Sequence, residues 1–128
     1  MRTKLVVMVA GLALTGLVVP VVAHHAVGAE YDAEKQVTLK GTVTKIEWTN
    51  PHSRLYLDVT EPDGTVVNWN LELTARSALV RQGWTSRSVS VGDELTVEGH
   101  LARSGVKMIN AQSIVTADGR AVLRDVNE

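Results

Sequence analysis

From Val37 the chain alternates. Val37, Leu39, Gly41 and Val43 take one side, and Thr38, Lys40, Thr42 and Thr44 take the other. This is the period of a strand with one buried face. The phase then slips by one residue, and Ile46 and Trp48 continue the apolar pattern at even positions. A single-residue slip inside a long strand predicts a β-bulge near Thr44-Lys45, which bends the strand and turns its two halves toward different neighbours. A chain that starts its folded part in this way is restricted to small, strongly curved β architectures.

Asn50-Pro51 closes that strand, because proline donates nothing to a ladder and restricts the residue before it. A second strand follows, with Leu55, Leu57 and Val59 inward and Arg54, Tyr56 and Asp58 outward. Glu61-Pro62-Asp63-Gly64 is a turn: proline presets one φ angle and glycine accepts a positive one. The third strand carries Val67, Trp69, Leu71 and Leu73 on one face and Asn68, Asn70 and Glu72 on the other, and pairs with the second as a hairpin. Thr74 to Gln82 changes to helical spacing, with Thr74 as cap, Ala75, Ala78 and Leu79 on one face, and Gly83 as stop. A fourth strand (Leu95, Val97, Gly99, Leu101) and a fifth (Ile109, Ala111, Ser113, Val115) follow. Asp118-Gly119 then turns into Ala121-Val122-Leu123, a short extra strand. Three strands, a helix and two strands is the order of an OB-fold: mainly β, a five-stranded Greek-key barrel with one short helix between strands three and four. Another small barrel or roll with one helix is the alternative architecture.

The start of the chain reads as an export signal. Arg2 and Lys4 precede an apolar run from Leu5 to Val19, Pro20 ends it, and Val21-Val22-Ala23 offers small residues before a cut. A cut after Ala29 is the alternative. The run is shorter than the roughly 20 residues of a membrane span, so no stable anchor is expected after processing. The expected organisation is a signal peptide at 1–23, an N-terminal arm at 24–36, the barrel at 37–123 and a frayed tail at 124–128. The chain holds 13 Lys and Arg against 14 Asp and Glu, and processing removes Arg2 and Lys4. A mildly acidic domain without a basic tract excludes nucleic acid as a partner. There is no cysteine. That excludes a lipid-anchored N-terminus, a disulfide framework and thiolate metal ligands. The location read from these features is periplasmic or otherwise exported.

His24-His25, Ala29-Glu30-Tyr31-Asp32, the run from Val37 to Thr44 and the stretch Glu47-Trp48-Thr49-Asn50-Pro51-His52-Ser53 together resemble an exported bacterial family, domain of unknown function 6152. Val67-Asn68-Trp69, Arg81-Gln82-Gly83-Trp84 and Gly92-Asp93-Glu94-Leu95-Thr96-Val97 extend the resemblance over nearly all of the mature chain. The resemblance implies export and a small OB-like barrel. It implies no established activity.

Three of the four histidines bear on a site. A cut after Ala23 makes His24 the mature N-terminus, with an α-amine and an imidazole on one residue. Those two nitrogens with a third from His52 form a T-shaped set that suits Cu(II). His25 offers a second chelate through the amine, its amide nitrogen and its imidazole. His52 follows a rigid strand, where a fixed ligand is well placed. Trp48, Asn50, Tyr31 and Asp32 are expected as pocket wall or as partners that orient an imidazole. The bland reading is that the paired histidines are solvated and His52 only bonds its own turn.

Nothing in the sequence signals catalysis: Ser53 and His52 are strand neighbours that point apart, and no nucleophile elbow, phosphate loop or paired carboxylate is present. The expected function is therefore binding, by an exported envelope module that holds copper or a small ligand. The alternative is a periplasmic protein-interaction adaptor with structural histidines and no metal. For that alternative the outward row Arg54, Tyr56, Asn68 and Asn70 supplies the face.

Overall fold

The computed structural model describes residues 27–124. The first strand, β1 (Tyr31–Glu47), is 17 residues long and contains the alternating run. It starts before the alternation does: Tyr31 and Asp32 pair with Ala102 and Leu101, the register breaks, and pairing resumes at Gln36. Residues 31–36, read from sequence as arm, are therefore strand. The bulge lies where the phase slip placed it, as a register shift between Val43 and Lys45.

β1 changes partner along its length. Through Thr42 it pairs with β4 (Glu94–Ala102), and from Gly41 to Glu47 it pairs with β2 (His52–Thr60). Gly41 stands at the crossover, opposite both Val59 and Leu95. A Cβ added there would lie 2.5 Å from the Asp58 carbonyl oxygen, so only glycine lets the backbones approach this closely. β2 turns at Gly64, whose φ is +86°, into β3 (Val66–Ala75). The hairpin register runs from Thr60 opposite Val66 to Arg54 opposite Glu72.

A six-residue helix, α1 (Arg76–Arg81), follows β3. Its N-cap is Ala75, with no side-chain cap, rather than Thr74. The helix is anchored by Leu79, which is fully buried, and ends before Gly83, whose φ is +89°. β5 (Met108–Thr116) and β6 (Ala121–Leu123) complete the chain.

The strand order is β3-β2-β1-β4-β5-β6, with a further parallel pairing of β3 with β5. The expected five-stranded OB-fold barrel is thus corrected. The short last strand joins the same sheet and makes it six-stranded. Beyond the β4 side, β5 gives its edge to β3 over three residue pairs only, Asn70–Glu72 against Met108–Asn110, and then to β6 at Ile114 and Val115. With its seam confined to so short a stretch, the assembly is described as a six-stranded sheet and not as a barrel. The inward series Leu55, Leu57, Leu71, Leu73, Leu95, Val97, Ile109 and Ile114 forms the core, each at most 1 % exposed. At roughly 1.5–3 kcal/mol for each fully buried aliphatic side chain, this interior is the main source of stability in a chain without disulfides.

Candidate functional site

The outward face of β3 should be polar and exposed, and at Asn68 and Asn70 it is exposed or half-buried. Glu72, next in that series, is only 6 % exposed. Three elements cover it. Arg54 sits directly opposite on β2 and donates from Nη2 to Oε2 at 3.1 Å. The hairpin register then shifts between Arg54 and His52, so His52 comes to face the same carboxylate and its Nδ1 lies 2.5 Å from Oε1. The start of β1 brings Tyr31, 2 % exposed, whose hydroxyl donates to Oε2 at 2.5 Å. Arg54 Nη1 also donates to Asn70 Oδ1 at 3.1 Å and touches Met108 Sδ at 3.5 Å. The cluster therefore sits on the seam where β3 meets β5.

Burial alone pushes the Glu72 carboxyl up. The hydrogen bonds from Tyr31 and His52 and the charge of Arg54 outweigh it and hold the group below the ordinary carboxylate value. The Tyr31 phenol moves the other way: burial first, then its hydrogen bond to Glu72 and the charge of that carboxylate, push it above the ordinary tyrosine value. An ionised carboxylate only accepts, so His52 must donate from Nδ1. Glu72 thereby fixes which ring nitrogen of His52 faces it, and in the neutral ring that leaves Nε2 as the acceptor.

His52 is one wall of a cleft of about 410 Å³. Its polar lining is His52, Thr74, Gln82, Asn110, Gln112 and Arg124. Leu73, Ala75, Ala111 and Leu123 supply apolar surface. A second depression of about 630 Å³ shares Gln112, Leu123 and Arg124 with the first. The two form one elongated groove along β5 and β6.

The other residues singled out from sequence fall elsewhere. Asp32 pairs with Arg103 at 3.5 Å and with Lys35 at 3.7 Å, away from His52. Trp48 stacks on Trp84 with centroids 6.4 Å apart and planes 6° from parallel, and Arg76 lies 5.2 Å over the Trp48 ring. Asn50 is exposed and joined to Pro51 by a cis peptide bond. Ser53 is buried and donates to the Thr49 carbonyl at 3.3 Å, on the opposite face from His52. His24 and His25 lie outside the described residues. Glu72 and Arg54, the centre of the cluster, were not singled out as a pair.

The expected copper site is corrected. Among the described residues no group of three or more His, Cys, Asp or Glu side chains is arranged to hold a metal ion. Nδ1 of His52 is committed to Glu72, whose other oxygen is taken by Tyr31 and Arg54. Copper as cofactor and a metal ion or small ligand as partner fall with the site.

What the fold and cluster define is a mainly β protein with one buried carboxylate, held by three donors, beside an open groove. Residues 12–110 match the family of unknown function DUF6152, and the chain belongs to that family. No curated protein matches the chain. Among the described residues no helix is long and apolar enough to cross a membrane.

Proposed function

We propose that this protein is an exported interaction module of the cell envelope, an adaptor that presents the outward side chains of β2 and β3 to a protein partner. One observation carries the reading: the row Arg54, Tyr56, Asn68 and Asn70 is accessible and held in fixed geometry by its neighbours. Asn68 donates to Asp58 at 2.8 Å and to Thr44 at 3.0 Å. Tyr56 donates to Glu47 at 3.1 Å, with Lys45 Nζ 5.0 Å over its ring. Arg54 is tied to Asn70 and Glu72. Val66, 61 % exposed, continues the same side of β3. Tyrosine and arginine are enriched at protein interfaces, and side chains already ordered lose less entropy on docking. The basic start and apolar run before residue 24 support export to the periplasm.

The test is photo-crosslinking in cells, with a photoreactive residue placed at Tyr56 or Asn68, and at Ser86 or Ala117 as controls. One discrete adduct from the row positions and none from the controls is expected. Absence of adducts, or equal adducts from all four positions, overturns the reading.

A further inference from the structure

We infer that the groove beside His52 binds an extended peptide segment of a protein partner that ends in a free C-terminal carboxylate. The inference rests on the adaptor reading and deepens it, at a surface separate from the outward row.

The lining chemistry selects the occupant. Among the described residues its charged or chargeable side chains are Arg124 and His52, and no acidic side chain lines the first cleft. Glu72 is beside it, but it is only 6 % exposed and its oxygens are engaged by Tyr31, His52 and Arg54. The groove is therefore complementary to a negative group at the Arg124 end. Because Nδ1 of His52 is engaged by Glu72, Nε2 is the ring nitrogen left for a ligand, and in the neutral ring it accepts from a backbone N–H. Gln112 Nε2 donates to Asn110 Oδ1 at 2.6 Å, which leaves the Asn110 amide donors and the Gln112 amide acceptor toward the groove, and Gln82 adds one of each. Val27 and Ala75, both half-buried, supply apolar contacts for side chains of an extended chain. The second depression continues past Gln112 and Arg124, and Glu98 in its lining repels a carboxylate there, which places the negative group on the first-cleft side of Arg124. A free carboxylate ion can meet Arg124 and the amide N–H groups but has no backbone N–H to offer Nε2 or the Gln112 amide oxygen.

The experiment uses the protein as exported, labelled for NMR, and three probes: N-acetyl-trialanine with a free carboxylate, the same peptide as its C-terminal amide, and acetate. The free-acid peptide is expected to shift the side-chain amides of Asn110 and Gln112 and the backbone amide of Ala111 in a saturable manner. The peptide amide, Arg124→Gln and His52→Gln should each weaken binding by about fivefold to tenfold, the loss of roughly one hydrogen bond or ion pair. Acetate binding as tightly as the peptide, equal binding of acid and amide, or shifts confined to other surfaces would overturn the inference. So would no shift at about 10 mM probe, which corresponds to less than about 3 kcal/mol of binding. Those outcomes leave the crosslinking result at Tyr56 and Asn68 untouched, and a failure there leaves the titration untouched.

Discussion

β2 helps to build two clusters with nearly the same chemistry. At one, Glu72 meets Tyr31, Arg54 and His52. At the other, Glu47 meets Tyr56 at 3.1 Å and Lys45 at 2.5 Å. Each is a carboxylate held by a tyrosine and a cation. Both carboxylates are held below their ordinary value, Glu47 by its hydrogen bonds to Lys45 and Tyr56 first of all. The difference is solvent. The Glu72 side chain is 8 % exposed, while those of Glu47 and Lys45 are 32 % and 59 % exposed. Water and salt screen the second set, and its partners lose little if the carboxylate goes, because water replaces it. In the first set Glu72 and Tyr31 have no such substitute, while His52 and Arg54 are about as exposed as Glu47, at 31 % and 30 %. The same three functional groups therefore make a structural joint in one place and a surface contact in the other.

The largest expected effect is at Glu72. Glu72→Ala leaves the buried Tyr31 hydroxyl without an acceptor and removes the carboxylate from His52 and Arg54, of which Arg54 keeps Asn70, and should cost about 2–3 kcal/mol in urea unfolding. A loss below about 1 kcal/mol would mean that water reaches the cluster and that the contrast with Glu47 is false. Tyr31→Phe comes next. It removes one donor and leaves the other two, so about 1–2 kcal/mol is expected from the same measurement.

The pH profile sharpens the comparison. With its carboxyl held low, folded Glu72 binds fewer protons than the unfolded chain on the acid side. Its stabilisation is present above the ordinary carboxylate value and is lost as pH falls below it. Tyr31, raised in the folded state, contributes stability below the ordinary tyrosine value, and this is lost as pH rises above it. Urea midpoints measured across pH should therefore fall at both ends. Tyr31→Phe should flatten the alkaline fall, and Glu72→Gln the acid one. The smallest effect is at Glu47: Glu47→Gln should shift the urea midpoint little at low salt and not at all at high salt. An effect equal to that of Glu72→Gln would break the distinction.

The elements were legible because their periods are strong. The slip after Val43 marked the bulge, and the Leu79 face with Gly83 marked the helix within a residue or two. Half of the cluster was also within reach. The turn at Glu61–Gly64 sets the hairpin register, and counting back from Val59 opposite Val67 places Arg54 opposite Glu72. A lone acid across from a lone arginine on adjacent strands was the missed signal. His52 was harder, because it reaches Glu72 only through a register shift that no residue type announces. Tyr31 was harder still, since its contact spans 41 positions and depends on the break in pairing after Asp32. The reading as a five-stranded barrel failed on a related point: three residues at the end of the chain share an edge that a barrel would give wholly to β3.

That shared edge has a bearing on solubility. A strand whose outer N–H and C=O groups lack a neighbour is a template for another chain. Along the second half of β5 the protection is three residues of β6, and the carbonyl of the middle one, Val122, accepts from the Trp84 indole nitrogen. Trp84 lies in the loop that follows α1, so a contact outside the strands fastens the guard. Loss of that indole would loosen β6 first and free the Ile114–Thr116 backbone for a second copy. The protein's resistance to self-association would then hang on a tryptophan that is not part of the strand it protects.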